Sequence, residues 1–191
     1  MIKKNFNIII AGAGGQGSTT LVNILANAAF IEGYDVKSSE LHGLSQRGGT
    51  VLAYVGFGQK IYSPIFGPGR ADLIIGLDLL ESLKQTIFSS KKTNLVINKF
   101  LMAFAGIPKE QELINGLEKA IKNKLYLIPA SEICKKEIGN NVFSGIYLLG
   151  YCAYNNLLGL KSESVLKAIE KIIPQKYLEL NKKAFNLAKN D

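Results

Sequence analysis

The stretch Asn5-Phe6-Asn7-Ile8-Ile9-Ile10-Ala11-Gly12-Ala13-Gly14-Gly15-Gln16-Gly17 decides the fold. Its first half is a short apolar run that reads as a buried parallel strand. Its second half is a glycine turn. Ser18 and Thr19 then stand where a helix is capped, and Leu21, Ile24, Leu25, Ala28 and Ala29 give that helix one apolar stripe. Gly33 stops the helix, and residues 34–38 read as a second strand. Strand, glycine turn, helix and strand make a right-handed βαβ unit.

The pattern continues along the chain. Residues 50–57 are rich in β formers and are the expected antiparallel addition, with Lys60-Ile61-Tyr62 pairing back as a short hairpin. Strands are expected at 71–76, 94–98 and 124–128, and helices at 79–88 and 110–122. Residues 99–108 carry no clear pattern. From Ser131 onward the sequence is helical, with breaks at Gly139, Gly159 and Pro174. Buried strands alternating with amphipathic helices predict a three-layer α/β/α sandwich. Its sheet is mainly parallel and Rossmann-like, its last elements are C-terminal helices, and 1–191 is read as a single domain.

Between the first helical unit and residue 50 lies Ser39-Glu40-Leu41-His42-Gly43-Leu44-Ser45-Gln46-Arg47-Gly48-Gly49-Thr50. It holds the only histidine of the chain. Polar groups are costly to bury without partners, and glycines are costly to order. The stretch therefore reads as a surface loop facing the glycine turn at one end of the sheet. Arg47 is its best ligand or partner contact, because a guanidinium suits phosphate and carboxylate. Otherwise Arg47 makes a loop salt bridge, with Glu40 as the partner that fixes the stretch. His42 reads as a positioning group, since Ser45 three residues away does not make a triad.

Composition narrows the function classes. Net charge is +8, with 23 basic against 15 acidic residues, yet the lysines are scattered. The pairs Lys3-Lys4, Lys91-Lys92 and Lys135-Lys136 read as solvated surface, so no nucleic-acid partner is expected. Cys134 and Cys152 are too few for a disulfide framework or a metal tetrad, and an iron–sulfur cluster needs about four thiolates. No apolar run approaches the roughly 20 residues that cross a bilayer, so no membrane partner is expected. With no secretory signal visible, a cytoplasmic location is expected.

Gly12-x-Gly14-x-x-Gly17 matches the dinucleotide fingerprint in the required strand-to-helix context. The acid that would hold a ribose is missing from its usual place: Asp35 comes too early and Glu40 lies in the polar stretch. A phosphate cradle at a helix N-terminus and a purely structural turn remain as the two readings. Asp78 reads as a helix N-cap and Glu81 as a first-turn acid. Arg70 and Asp72 brace a turn. Asn98 ends a strand, where it meets a ligand or satisfies the next loop. Tyr147, Tyr151 and Tyr154 recur at helical spacing, as core or subunit contact.

The order of these motifs resembles the gamma-type subunit or domain of 2-oxoacid:ferredoxin oxidoreductases, and most of all the beta subunit of the indolepyruvate enzymes. The likeness rests on 12–17 and 39–49 together. It continues through Ser63-Pro64, Gly69-Arg70-Ala71-Asp72-Leu73, Leu79-Leu80-Glu81-Ser82-Leu83, Gly139-Asn140 and Leu149-Gly150. Ser82 stands where alanine is expected, Ser144-Gly145 where an asparagine is expected, and Cys152 is no family signature. The resemblance implies conversion of a 2-oxoacid, coenzyme A and oxidised ferredoxin to acyl-CoA, carbon dioxide and reduced ferredoxin. It implies that thiamine diphosphate and iron–sulfur clusters reside in a partner subunit, that ferredoxin is met through the complex, and that this chain alone is inactive. Gly12, Gly14, Gly15, Gln16, Gly17 and Arg47 would then face the coenzyme A pyrophosphate. Glu40, His42, Ser45, Gln46, Gly48 and Gly49 would shape an interface, and no residue here would be catalytic. A free-standing nucleotide-binding oxidoreductase and a non-catalytic assembly protein are the alternatives.

Overall fold

The computed structural model describes residues 5–43, 49–103, 106–121 and 124–190. The elements are β1 (Asn5–Ala13), α1 (Ser18–Ile31), β2 (Asp35–His42), β3 (Thr50–Gly58), β4 (Leu73–Gly76), α2 (Leu79–Lys84), β5 (Asn94–Asn98) and α3 (Glu110–Ala120). They continue as β6 (Leu125–Ile128), α4 (Ala130–Ile138), α5 (Ser144–Tyr154), α6 (Ser162–Ile172) and α7 (Gln175–Leu187). One six-stranded sheet has the order β2-β3-β1-β4-β5-β6. All strands run the same way except β3, which is antiparallel to both β1 and β2.

The pleat of β1 divides the core. Ile8 and Ile10 join the cluster built by α1, α4, α5, α6 and α7. Ile9 and Ala11 join the one built by α2 and α3. Successive side chains of a strand point to opposite faces, so a run apolar at every position buries both. This is the expected three-layer sandwich. Tyr147 is fully buried in the first core. Tyr151 packs on Tyr126 with ring centroids 5.9 Å apart, and Tyr154 donates to Asn186 Oδ1 at 2.6 Å. The helical tyrosine stripe thus serves the core.

Three expectations need correction, and one strand pairing was not foreseen. β2 runs on to His42 instead of ending at 38, because β3 offers it a full ladder from Asp35↔Gly58 to His42↔Val51. The extended part is polar because β2 is an edge strand with little to bury, and a reading based on apolarity misses it. β1 and β2 are parallel but not neighbours, since β3 lies between them. Lys60-Ile61-Tyr62 forms no strand; the Ile61 N–H is held by Asp35 Oδ2 at 2.7 Å. The helix expected over 79–88 is α2 followed by a 3₁₀ turn, Gln85–Phe88. Asp78 is its N-cap, accepting from the N–H groups of Leu80 and Glu81 at 2.9 and 3.1 Å. No helix among the described residues is long and apolar enough to cross a membrane.

Candidate functional site

The parallel strands end at one edge of the sheet, where ligands of open α/β sheets bind. There the turn after β1 folds around its own glutamine. Ala13 N–H donates to Gln16 Oε1 at 2.7 Å, and Gln16 N–H returns to Ala13 O at 3.2 Å. Gly14 N–H donates to Gly49 O at 2.9 Å, so the turn and the end of the polar stretch are directly joined. Gly15 and Gly17 have φ of +97° and +83°, and a Cβ at either would meet nothing within 4 Å. Glycine stands there for its backbone, and the space in front of it is open.

α1 starts at Ser18 with Gly17 as N-cap and no side-chain cap. Ser18 Oγ is buried without a partner, so the sequence-based assignment of Ser18 as a cap is wrong. Thr19 Oγ1 is also not a cap; it donates to Glu40 Oε2 at 2.8 Å. The first-turn N–H groups of a helix have no intrahelical partners, so this end of α1 is an uncapped, electropositive terminus.

Opposite the turn, Asn98 at the end of β5 meets the start of α4. Asn98 Nδ2 donates to Ser131 Oγ at 2.8 Å and to Leu77 O at 3.3 Å, while Ser131 N–H donates to Asn98 Oδ1 at 3.1 Å. Asn98 is therefore a buried brace between strands and helix, and its amide is spent. Between these parts lies a crevice of about 190 Å³. Gly15, Gln16, Asn98, Ser131, Asn141 and Ser144 contribute to its walls, with Phe100, Met102 and Val142 as its apolar part. Sequence reasoning had not connected Ser131, Asn141 or Ser144 with the glycine turn. Only the path of the chain brings them together, and their short polar side chains at helix starts are the one local signal. A larger, apolar cavity of about 630 Å³ lies alongside, sharing Gln16 and Val142 and continuing to Ile146, Ile173 and Tyr177.

Three helices, α1, α4 and α5, begin around these walls. Their N-terminal dipole ends favour a negative charge in the crevice. Neither acid considered for a ribose is free. Asp35 holds the Ile61 N–H, and Glu40 holds Thr19 and lies 3.5 Å from His42 Nε2. Glu40 and His42 sit on β2 rather than in a loop. Ser45, Gln46, Arg47 and Gly48, together with the expected Glu40–Arg47 pair, lie outside the described residues.

Cys134 and Cys152 are buried on different helices, α4 and α5. Burial pushes the Cys134 thiol up to about 11 and raises that of Cys152 as well. Among the described residues no three His, Cys, Asp or Glu side chains gather as metal ligands. These donors do not fit an iron–sulfur cluster, which needs about four thiolates.

Sheet order and turn together define a Rossmann-like α/β sandwich with its open crevice at the strand ends. Residues 7–190 match the model of the pyruvate ferredoxin/flavodoxin oxidoreductase family, and the chain belongs to that family. Indolepyruvate oxidoreductase subunit IorB of Pyrococcus horikoshii is 32% identical over 191 residues, covering 96% of this chain and 94% of that protein. The pyruvate/ketoisovalerate oxidoreductases common subunit gamma of Pyrococcus abyssi is 32% identical, covering 91% and 89%. The crystal structure of pyruvate oxidoreductase subunit PORC from Thermotoga maritima superposes with a TM-score of 0.73 at 21% identity, covering 99% of this chain and 97% of that one. The chain is thus of the IorB-like, gamma-subunit type.

Proposed function

We propose that this chain is the small subunit of a heteromeric, cytoplasmic 2-oxoacid:ferredoxin oxidoreductase of the indolepyruvate type, and that it helps hold coenzyme A against the partner's active site. The reaction converts a 2-oxoacid and coenzyme A to acyl-CoA and carbon dioxide, with electrons passing to ferredoxin through the complex. Thiamine diphosphate and the clusters belong to the partner subunit in this reading, in keeping with the donor set of this chain. The indolepyruvate reading is supported by the likeness to IorB over 96% of the chain.

One observation carries the coenzyme A role: a crevice bearing Gln16, Asn141 and Ser144 on its walls stands between the Gly15–Gln16 backbone and the first turn of α5, beside a larger apolar cavity. The pyrophosphate would sit on the helix ends and the uncharged arm along the cavity. Gly14, Gly15 and Gly17 leave room for the anion, Gly12 and Gln16 hold the turn, and Arg47 supplies a counter-charge. Glu40, His42, Ser45, Gln46, Gly48 and Gly49 shape the surface around it.

Ser144→Glu tests this in the assembled complex. A carboxylate in the first turn of α5 suits the helix but repels a pyrophosphate. The KM for coenzyme A should rise at least tenfold, about 1.4 kcal/mol, with the KM for the 2-oxoacid unchanged. An unchanged coenzyme A KM would falsify the crevice assignment.

A further inference from the structure

The second face of the sheet is incompletely covered. α2 packs on β1, β4 and β5, whereas β2 and β3 meet α1 on the first face. On the second face the cover over β3 is not a helix. Phe66 and Phe88 stand edge-on to Tyr54, with ring centroids 5.2 and 5.7 Å away, brought there by the segment 59–70 and the 3₁₀ turn. Gly69 N–H donates to Ile87 O at 3.0 Å and ties the two together.

The outer side of this aromatic cover is apolar. Ile65 beside Phe66 is 53% exposed, Ile87 beside Phe88 is 61% exposed, and Tyr62 is 81% exposed. Leu41 pairs with Leu52 across β2 and β3 and so points to the same face, where it is 49% exposed. Single exposed apolar residues are ordinary, but a group of them over one uncovered sheet end marks a contact surface.

The charges around it select the occupant. Lys37 lies on this face of β2 opposite Gly56, Lys60 lies 5.2 Å from the Tyr62 ring centroid, and exposed Arg70 closes the far end of the segment. The nearby acid Asp35 is held by a backbone N–H. The rim is therefore cationic, in a chain of net charge +8. A second copy would set this rim against itself and meet repulsion.

We propose that this face, formed by Leu41, Tyr62, Ile65 and Ile87, docks the large partner subunit through an apolar patch rimmed by aspartate and glutamate. The inference rests on the chain being a subunit of a heteromeric complex. Interface cores of this kind are apolar and aromatic, and a complementary charged rim sets partner and orientation.

The test uses the co-expressed complex with a tagged small subunit. Ile65→Asp with Ile87→Asp should leave the chain folded, with unchanged circular dichroism and melting temperature, and weaken capture of the large subunit at least tenfold. Tyr62→Glu, at the most exposed position, should do the same if the double variant folds poorly. Lys37→Glu with Lys60→Glu should weaken the complex further at low salt than at high salt. Phe30→Glu, an exposed change on α1 across the sheet, should leave it intact. Wild-type affinity in both patch variants would overturn the docking face while leaving the proposed function standing. Wild-type protein that captures no large subunit would overturn both. A concentration-dependent homodimer of the isolated chain, abolished by the patch variants, would assign the face to a second copy and overturn the proposal.

Discussion

Thr19 and Glu40 join the start of α1 to the end of β2: the threonine hydroxyl donates to Glu40 Oε2 at 2.8 Å, and the same oxygen lies 3.5 Å from His42 Nε2. The contact fixes a helix terminus against an edge strand beside the glycine turn. It is exposed, so its worth is small, about 0.5–1 kcal/mol. A double-mutant cycle with Thr19→Val and Glu40→Ala in urea should return that coupling. Strict additivity would show that the pair does not hold the two elements together.

His42 belongs to this network, in which the Glu40 carboxylate beside it already accepts from Thr19, so a positioning role is expected. His42→Gln should therefore retain most of the turnover of the assembled complex. Collapse of turnover with assembly intact would make the histidine a proton-transfer group. Arg47→Ala, in contrast, should raise the coenzyme A KM roughly tenfold to hundredfold, the value of a charge-assisted contact of about 1.5–3 kcal/mol. Steady-state rates of the two variants, measured with subunit association, separate the roles.

The Asn98–Ser131 brace is buried, and here the magnitude is larger. Asn98→Ala strands the Ser131 N–H and removes a donor from Leu77 O. Each buried group left unpaired costs about 1–3 kcal/mol. Denaturant melts should show a loss at the upper end of that range. Asn98→Asp keeps an acceptor for the Ser131 N–H but buries an uncompensated carboxylate facing Leu77 O, and should destabilise as well.

Gly150 lets α5 and α7 touch backbone to backbone. A Cβ there would fall 2.2 Å from the carbonyl oxygen of Phe185. Gly150→Ala should destabilise by about 1–3 kcal/mol through overpacking, and a neutral melting temperature would contradict this packing.

The two buried thiols set an alkaline limit. Their neutral forms are favoured in the folded protein, so their contribution is complete below the unfolded thiol value of about 8.5 and is lost as pH rises. For Cys134 the loss runs up to about 11, at no more than about 1.4 kcal/mol per pH unit. Stability measured between pH 8 and 10.5 should fall less steeply in Cys134→Ala than in the wild type. Neither thiol should react with a disulfide reagent at pH 7 until the chain unfolds.

The apolar run 8–11 and the glycine turn behind it carried the architecture in the sequence. Burial of every position forces a strand covered on both faces, and Gly33 and Asp78 bound their helices through local geometry. The turn was legible as a ligand-end candidate for the same reason, since backbone conformations with positive φ require particular residues. Long-range pairing was not legible. That β3 enters between β1 and β2 depends on its ladder with β1, formed by residues tens of positions apart, and the extension of β2 to His42 depends on that insertion.

Local chemistry thus determined the buried strands and main helices, the glycine turn, the Asp78 cap and the division into three layers, because each depends on neighbours in the chain. Tertiary structure alone decided where polar groups spend their hydrogen bonds. Glu40 goes to Thr19, Asp35 to Ile61 and Asn98 to Ser131. It alone brought Ser131 and Ser144 to the wall opposite Gly15, and left one end of the second sheet face without a helix. Hydrogen bonds and uncovered faces are settled by what lies nearby in space, and no local pattern in the sequence encodes that proximity.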